Sequence, residues 1–248
     1  MKRHIPNFIT SLNLAAGFIS VVFAFNGQII TASWLILTAM VFDFLDGFSA
    51  RLLKAYSDIG KELDSLADVV SFGVAPALIL YQLISSLLEP TMPLFTNGLV
   101  IKSLALQLLP VIMPVCAALR LAKFNIDTTQ TTSFKGLPTP ANALAVISLI
   151  IADHYTDSDV FNWFTGSPAA LIILTVILSL LMVSRLPLLS LKTSHLRFKG
   201  NEGRYILAAA VIIALAVFRV AGCALIIPLY LIVSLISPLF GKSLVIKQ

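Results

Sequence analysis

The chain has 248 residues, of which 58% are hydrophobic and only 12% charged, with a mean hydropathy of +0.96 and a formal net charge of +5. Water-soluble domains carry roughly 25% charged residues, so the composition excludes one and points to lipid as the surrounding medium. The positive balance does not indicate nucleic acid, because no basic stretch is interleaved with stacking aromatics.

A spanning helix needs about 20 mostly apolar residues. Eight runs meet that need: Phe8–Phe25, Ile29–Phe48, Asp64–Leu88, Ile101–Leu121, Pro140–His154, Pro168–Leu189, Tyr205–Val220 and Cys223–Phe240. A barrel would show alternating segments of about ten residues instead. The expectation is therefore an all-α integral membrane protein with about eight transmembrane helices. The first run follows a basic start, as a secretory signal does, but Asn7, Thr10, Ser11 and Asn13 interrupt it and no small-x-small site follows. An uncleaved helix with a polar stripe is expected there.

Trp34 and Trp163 fall near the outer ends of runs, where aromatic belts sit. Pro110 and Pro114 predict a bend in the fourth run. Cys116 and Cys223 lie inside runs and read as packing residues. His4, His154 and His195 fall in separate loops or tails, which argues against a shared metal site. Internal repeats and low-complexity tracts are absent, so residues 1–248 are expected to form a single membrane-embedded domain.

Orientation follows from Lys and Arg. With the N-terminus in the cytoplasm, fifteen of the seventeen basic residues fall on the cytoplasmic side, and only Lys102 and Arg219 on the other. Both termini are then cytoplasmic.

The second and third runs carry four aspartates, Asp43, Asp46, Asp64 and Asp68. Facing lipid at mid-span, each would cost roughly 2.5–3.5 kcal/mol. Helical spacing gives a cheaper arrangement. Asp43, Asp46, Gly47 and Ala50 share an arc of about 100° on the second helix. Gly60, Asp64, Ala67, Asp68, Ser71 and Ala75 share a face of the third. The short link Arg51–Ile59, with Ser57 or Asp58 as a helix cap, makes the two helices antiparallel neighbours. The four carboxylates then converge at the cytoplasmic interface. An all-oxygen cluster without His or Cys suits Mg²⁺, Mn²⁺ or Ca²⁺, and an i, i+3 pair facing an i, i+4 pair could bridge two ions. The alternative is a solvated pair of helix ends with Arg51, Lys54 and Lys61 as counter-charges.

The pattern Asp43-x2-Asp46-Gly47-x2-Ala50-Arg51-x8-Gly60-x3-Asp64-x3-Asp68 resembles, without departure, the signature of the CDP-alcohol phosphotransferase family. That resemblance implies the fold of the family, a homodimer, and an integral-membrane transferase. In such an enzyme a Mn²⁺ or Mg²⁺ two-metal site takes a CDP-linked lipid, an alcohol attacks phosphorus, and CMP leaves. It also implies that Asp43, Asp46 and Asp64 bind metal, and that Asp68 completes the second ion's ligands and acts as general base. Gly47 and Gly60 would let the nucleotide or the facing helix come close, Ala50 would keep the face small, and Arg51 would offer a planar fork to phosphate. Asn7 and Thr10, one turn apart on the first helix, could touch the nucleotide or simply join helices.

Three further stretches, IPNFITSLNLAAG, ALRLAKFN and FKGLPTPANA, resemble the bacterial phosphatidylserine synthase branch of that family. The branch implies CDP-diacylglycerol as donor and L-serine as acceptor, with the active site on the cytoplasmic side of the cell (inner) membrane. A serine carboxylate needs a cation, and Arg120, Asn125, Lys135 and Asn142 are the candidate pocket. For Arg120 and Lys123 the plainer reading is positive-inside flanking. Sister enzymes using glycerol 3-phosphate or inositol phosphate are the alternative. A cation transporter would place its acidic residues near mid-membrane instead.

Overall fold

The computed structural model describes residues 4–88, 104–126, 134–189 and 201–240, of which 134, 135 and 237–240 are described by their backbone only. Nearly all of it is helix. The first helix, α1 (His4–Phe25), buries Pro6, Thr10, Asn13, Gly17, Ser20 and Ala24 along one side, while Phe8, Phe18 and Phe25 point outward. Small and polar residues face the bundle and large apolar ones face out, the reverse of a soluble helix and the pattern expected where lipid is the solvent.

Gly27, at φ 75°, turns the chain, and its N–H closes on the Ala24 carbonyl at 2.9 Å. Helix α2 (Ile29–Leu53) returns along α1, and the Ser20 hydroxyl donates to the Ala32 carbonyl across the pair at 2.8 Å. Lys54, at φ 49°, stops α2, its N–H reaching the carbonyls of Ala50 and Arg51. Ser57 then caps the next helix by accepting from Gly60 N at 3.1 Å.

That helix, α3 (Asp58–Leu87), starts six residues before the expected Asp64, because the cap at Ser57 lets a polar first turn join the apolar run. Its middle, Val69–Val74, is π-helical and buries Ser71, Phe72 and Gly73. Helix α4 (Leu104–Ile126) tightens into a 3₁₀ turn at Leu109–Val111. Pro110 lacks an N–H there, and Pro114 one turn later removes another, so the prolines interrupt the α-helical ladder at this point.

A two-residue antiparallel ribbon, β1 (Phe134–Lys135) with β2 (Pro187–Leu188), was not expected from the sequence. Between its strands run α5 (Thr139–Tyr155), α6 (Asp159–Thr165) and α7 (Pro168–Val183), the last two meeting at 78°. The core lies where the outer half of α3 meets α5, around Phe72, Ile79, Leu80, Val146 and Ile147, all at most 1% exposed.

Helix α8 (Glu202–Phe218) leads through a 3₁₀ stretch, Arg219–Leu225, into α9 (Ile226–Phe240). Arg219 has φ 52°, and Gly222 packs on Ala214 and Leu215. A straight helix would hold residues eight apart about 12 Å from each other, so the chain folds back here. Five described helical stretches are long and apolar enough to cross a membrane when Glu202–Ile236 is counted as one, six if the bent α6–α7 pair counts as one span. Each of the eight expected runs overlaps a described helix, but the sixth runs past the end of α7 at Val183 into β2, the start of the fourth lies outside the described residues, and α5 is only 17 residues long. Surrounded by its neighbours, it needs less apolar length of its own than a lipid-exposed span.

Candidate active site

The end of α2, the start of α3, the end of α4 and the start of α5 meet at one end of the bundle. Asp43 and Asp46 lie two to three turns before the stop at Lys54, and Asp64 and Asp68 two to three turns after the cap at Ser57. One ligand oxygen each from Asp43, Asp64 and Asp68 lies within 4.8 Å of the others. At that range two ionised carboxylates repel by roughly 3–4 kcal/mol at an effective dielectric of about 20. Asp68 is 6% exposed, and Asp64 Oδ1 and Asp68 Oδ1 are buried without a hydrogen-bond partner. Such a trio is costly unless a cation neutralises it, and its all-oxygen donors match a hard divalent ion. The residues therefore fit the metal that the sequence pattern implies.

Asp46 stands beside this trio rather than in it. Its Oδ2 accepts a 2.6 Å hydrogen bond from the Thr10 hydroxyl, which also lies 3.0 Å from the Pro6 carbonyl. Both Thr10 and Asp46 are buried, at 3% and 6% exposure. Across the site Thr139, fully buried at the start of α5, donates to Asp68 Oδ2 at 3.4 Å.

Two cavities meet on the carboxylates. The first, about 430 Å³, is lined by all six residues expected to hold the nucleotide: Asn7, Thr10, Gly47, Ala50, Arg51 and Gly60, with Tyr56, Lys61, Asp46 and Asp64. A Cβ on Gly47 would meet nothing within 4 Å and would project into open space. Gly60 is different. A Cβ there would come within 2.9 Å of Asn7 Oδ1 and of Ser57 Oγ, so this glycine lets α1 approach α3.

The second cavity, about 330 Å³, is lined by Asp43, Asp46, Asp64 and Asp68 together with Arg120, Phe124, Asn125 and the Pro138–Pro140 corner. Asp46, Gly47, Arg51, Lys61 and Asp64 line both spaces. Arg120 lies close to Asp68 and to the Tyr230 phenol, and its Nε is buried without a partner. Asn125 donates to Ser65 Oγ at 2.9 Å, and its carbonyl accepts from Lys61 Nζ at 3.0 Å, tying α4 to α3.

Of the four residues expected to hold the acceptor, Arg120 and Asn125 line this space. Asn142 does not: it is fully buried one turn beyond Thr139, with both amide atoms unpartnered. Lys135 is placed in β1 by its backbone, and its side chain lies outside the described residues. Sequence reasoning missed Thr139, and gave Lys61 only as a counter-charge to the carboxylates rather than as part of a pocket wall. Thr139 lies between two prolines in the quoted FKGLPTPANA, a signal of a shaped corner, but its distance from Asp68 in sequence hides the contact.

Comparison with known proteins bears on what this site does. Residues 3–181 match the model of the CDP-alcohol phosphatidyltransferase family. The chain is 32% identical over 240 residues to a CDP-diacylglycerol–serine O-phosphatidyltransferase of Helicobacter pylori (strain J99), covering 95% of this chain and 91% of that protein. It is 35% identical over 191 residues to the enzyme of the same name from Bacillus subtilis, covering 74% and 89%. To an archaetidylserine synthase of Methanothermobacter thermautotrophicus it is 32% identical over 155 residues, covering 62% and 60%.

Proposed function

This chain belongs to the CDP-alcohol phosphatidyltransferase family, and we infer that it transfers the phosphatidyl group of CDP-diacylglycerol to the hydroxyl of L-serine. The products are phosphatidylserine and CMP. The observation that carries the reading is the pair of cavities meeting on one ridge of carboxylates, one suited to a nucleotide and the other to a small charged acceptor.

Asp43, Asp64 and Asp68, with Asp46 beside them, would hold the divalent ions, Mn²⁺ or Mg²⁺. When bound, such ions neutralise the carboxylates and the diphosphate and polarise phosphorus toward attack. Thr10 fixes the Asp46 carboxylate by the 2.6 Å bond. Gly47 leaves room for phosphate or ribose against the α2 backbone, and exposed Arg51 offers its fork at the lip. Asn7, Ala50 and Gly60 complete the wall of the CDP pocket. Asp68 takes the proton of the serine hydroxyl as its oxygen forms the new bond to phosphorus, and the bond to CMP breaks with its electron pair leaving on CMP. Arg120 meets the serine carboxylate, with Asn125 at the rim. Lys135 and Asn142 would act from outside the described cavity wall.

The finer organisation belongs to the same reading. The chain forms one membrane-embedded domain over residues 1–248, crosses the cell (inner) membrane eight times with both termini cytoplasmic, and opens its site to the cytoplasm. The fold-back at Arg219–Leu225 supports separating the last two spans. The homodimer is supported by the family likeness alone.

The test is CMP release by purified protein given CDP-diacylglycerol, Mn²⁺ or Mg²⁺, and a panel of alcohols. Serine-dependent release is expected, and serinamide, which lacks the carboxylate charge, should be a poor acceptor. Arg120→Gln should raise the KM for serine and leave that for CDP-diacylglycerol nearly unchanged. Arg51, Lys61 and Arg120 around the second cavity would also suit a phosphate-bearing alcohol. Should glycerol 3-phosphate or inositol phosphate outcompete serine, the sister reaction replaces this one.

A further inference from the structure

The family match ends at residue 181, and nothing above gives α8 and α9 a part in the chemistry. Yet α9 is tied to the acceptor side of the site. Tyr230, 5% exposed, donates its phenol hydrogen to the Leu189 carbonyl at 3.0 Å. One turn on, Ser234 Oγ accepts from the Leu189 N–H at 3.2 Å, so both polar groups of that residue's backbone are held by α9. Leu189 directly follows β2, which pairs with β1. Beyond the ribbon, Gly136 N donates to the Leu186 carbonyl at 3.0 Å and Leu137 N to the Leu181 carbonyl at 2.9 Å. The next residues, Pro138, Thr139 and Pro140, form a wall of the second cavity, and Thr139 donates to Asp68.

We propose that α9 is a positioning element for the acceptor. By clamping Leu189, Tyr230 and Ser234 hold the ribbon, and the ribbon holds the 136–140 corner against Asp68 and Arg120. Neither side chain touches the nucleotide cavity, so their influence falls on one substrate and not the other. Gly136 strengthens the coupling: at φ 79°, with carbonyls of the α7 end packed where a Cβ would stand, it leaves the corner no slack. Tyr230 also lies close to Arg120, the cation assigned to the acceptor. The inference rests on the reading that the second cavity takes the acceptor alcohol.

The experiment is steady-state kinetics of the full-length protein, varying acceptor and donor separately, for the wild type, Tyr230→Phe and Ser234→Ala. Each variant removes one hydrogen bond of the clamp, so the KM for serine should rise about 3- to 10-fold. The KM for CDP-diacylglycerol should stay within about twofold of wild type, as befits a contact felt by one substrate only. An unchanged donor KM also demonstrates an intact fold. Equal rises in both KM values, or a serine KM unmoved in both variants, would overturn the positioning role. If the wild type releases no CMP with serine, it is the acceptor assignment that fails. The same comparison is then made with whichever alcohol supports release, and the clamp stands or falls on that alcohol's KM. Should Tyr230→Phe not fold, Ser234→Ala alone decides, since its hydroxyl holds the other half of the clamp.

Discussion

At the scale of single residues the site divides its carboxylates between two tasks. Asp68 is the most enclosed of the trio and the only one that reaches toward α5, so it faces the acceptor cavity. Asp68→Asn should keep metal and nucleotide binding largely intact, three carboxylates remaining, while turnover falls by roughly 10²–10⁴-fold, the usual consequence of losing a general base. Asp43→Asn should instead raise the metal concentration needed for activity. Metal titrations followed by CMP release check both, and equal behaviour of the two variants would remove the division. Asp46 depends on Thr10. The bond is short, buried and made to a charged group, a class worth about 1.5–3 kcal/mol. Thr10→Val should therefore weaken donor binding by roughly 10- to 100-fold, read as KM for CDP-diacylglycerol. The aspartates were legible in the sequence because charge in an apolar run is costly and their spacing puts them on facing helices. Thr139 and the Tyr230 clamp were not, because each depends on a contact between residues at least 41 positions apart that no local pattern records.

At the scale of elements, the contact that sets the site's depth is α1 against the π-helical middle of α3. Gly17 lies on Ser71, one turn beyond Asp68, and the Ser71 hydroxyl donates to the Asn13 carbonyl at 3.0 Å. A Cβ on Gly17 would lie 2.7 Å from the Ser71 Cα, which is backbone and cannot swing aside. Gly17→Ala should thus destabilise the protein by about 1–3 kcal/mol through overpacking. A lower melting temperature in detergent and reduced activity are expected together, since the strain falls beside Asp68. Full activity with unchanged melting would mean α1 shifts freely. The helices themselves were readable from apolar length, but the π-helical segment was not. In VVSFGV almost every residue is apolar or small, so neither a 3.6-residue nor a longer period leaves a mark. The β1–β2 ribbon escaped for the same kind of reason: two-residue strands are too short to display alternation.

At the scale of the whole molecule, the chemistry and the topology have to agree. The four aspartates and the other residues lining the two cavities gather at the end of the bundle where α2 stops and α3 begins, and the turn at Gly27 lies at the opposite end of α2. In the topology expected from the sequence, fifteen of the seventeen Lys and Arg residues fall on the cytoplasmic side, and the proposed reaction needs the site to open there. Serine and CMP are water-soluble, and a site at that face meets them without moving charge through lipid. Cysteine labelling reads the arrangement directly. Cys116 is 8% exposed and can be replaced by Ala to quiet the background, leaving Cys223 as a reporter inside the fold-back. In that background Gln28→Cys and Asp157→Cys mark the far end of the bundle, and Asp58→Cys, at the exposed start of α3, marks the site end. A membrane-impermeant maleimide applied to intact cells or spheroplasts should label positions 28, 157 and 223 but not 58. Position 58 should react only after the membrane is permeabilised. Labelling of position 58 alone would invert the protein, whereas labelling of 28 and 157 without 223, even after detergent exposes it, would mean that α8 and α9 do not form two separate crossings. The first result would place the carboxylates on the outer face, away from the cytoplasm and its serine, and the proposed reaction would lose its supply of acceptor.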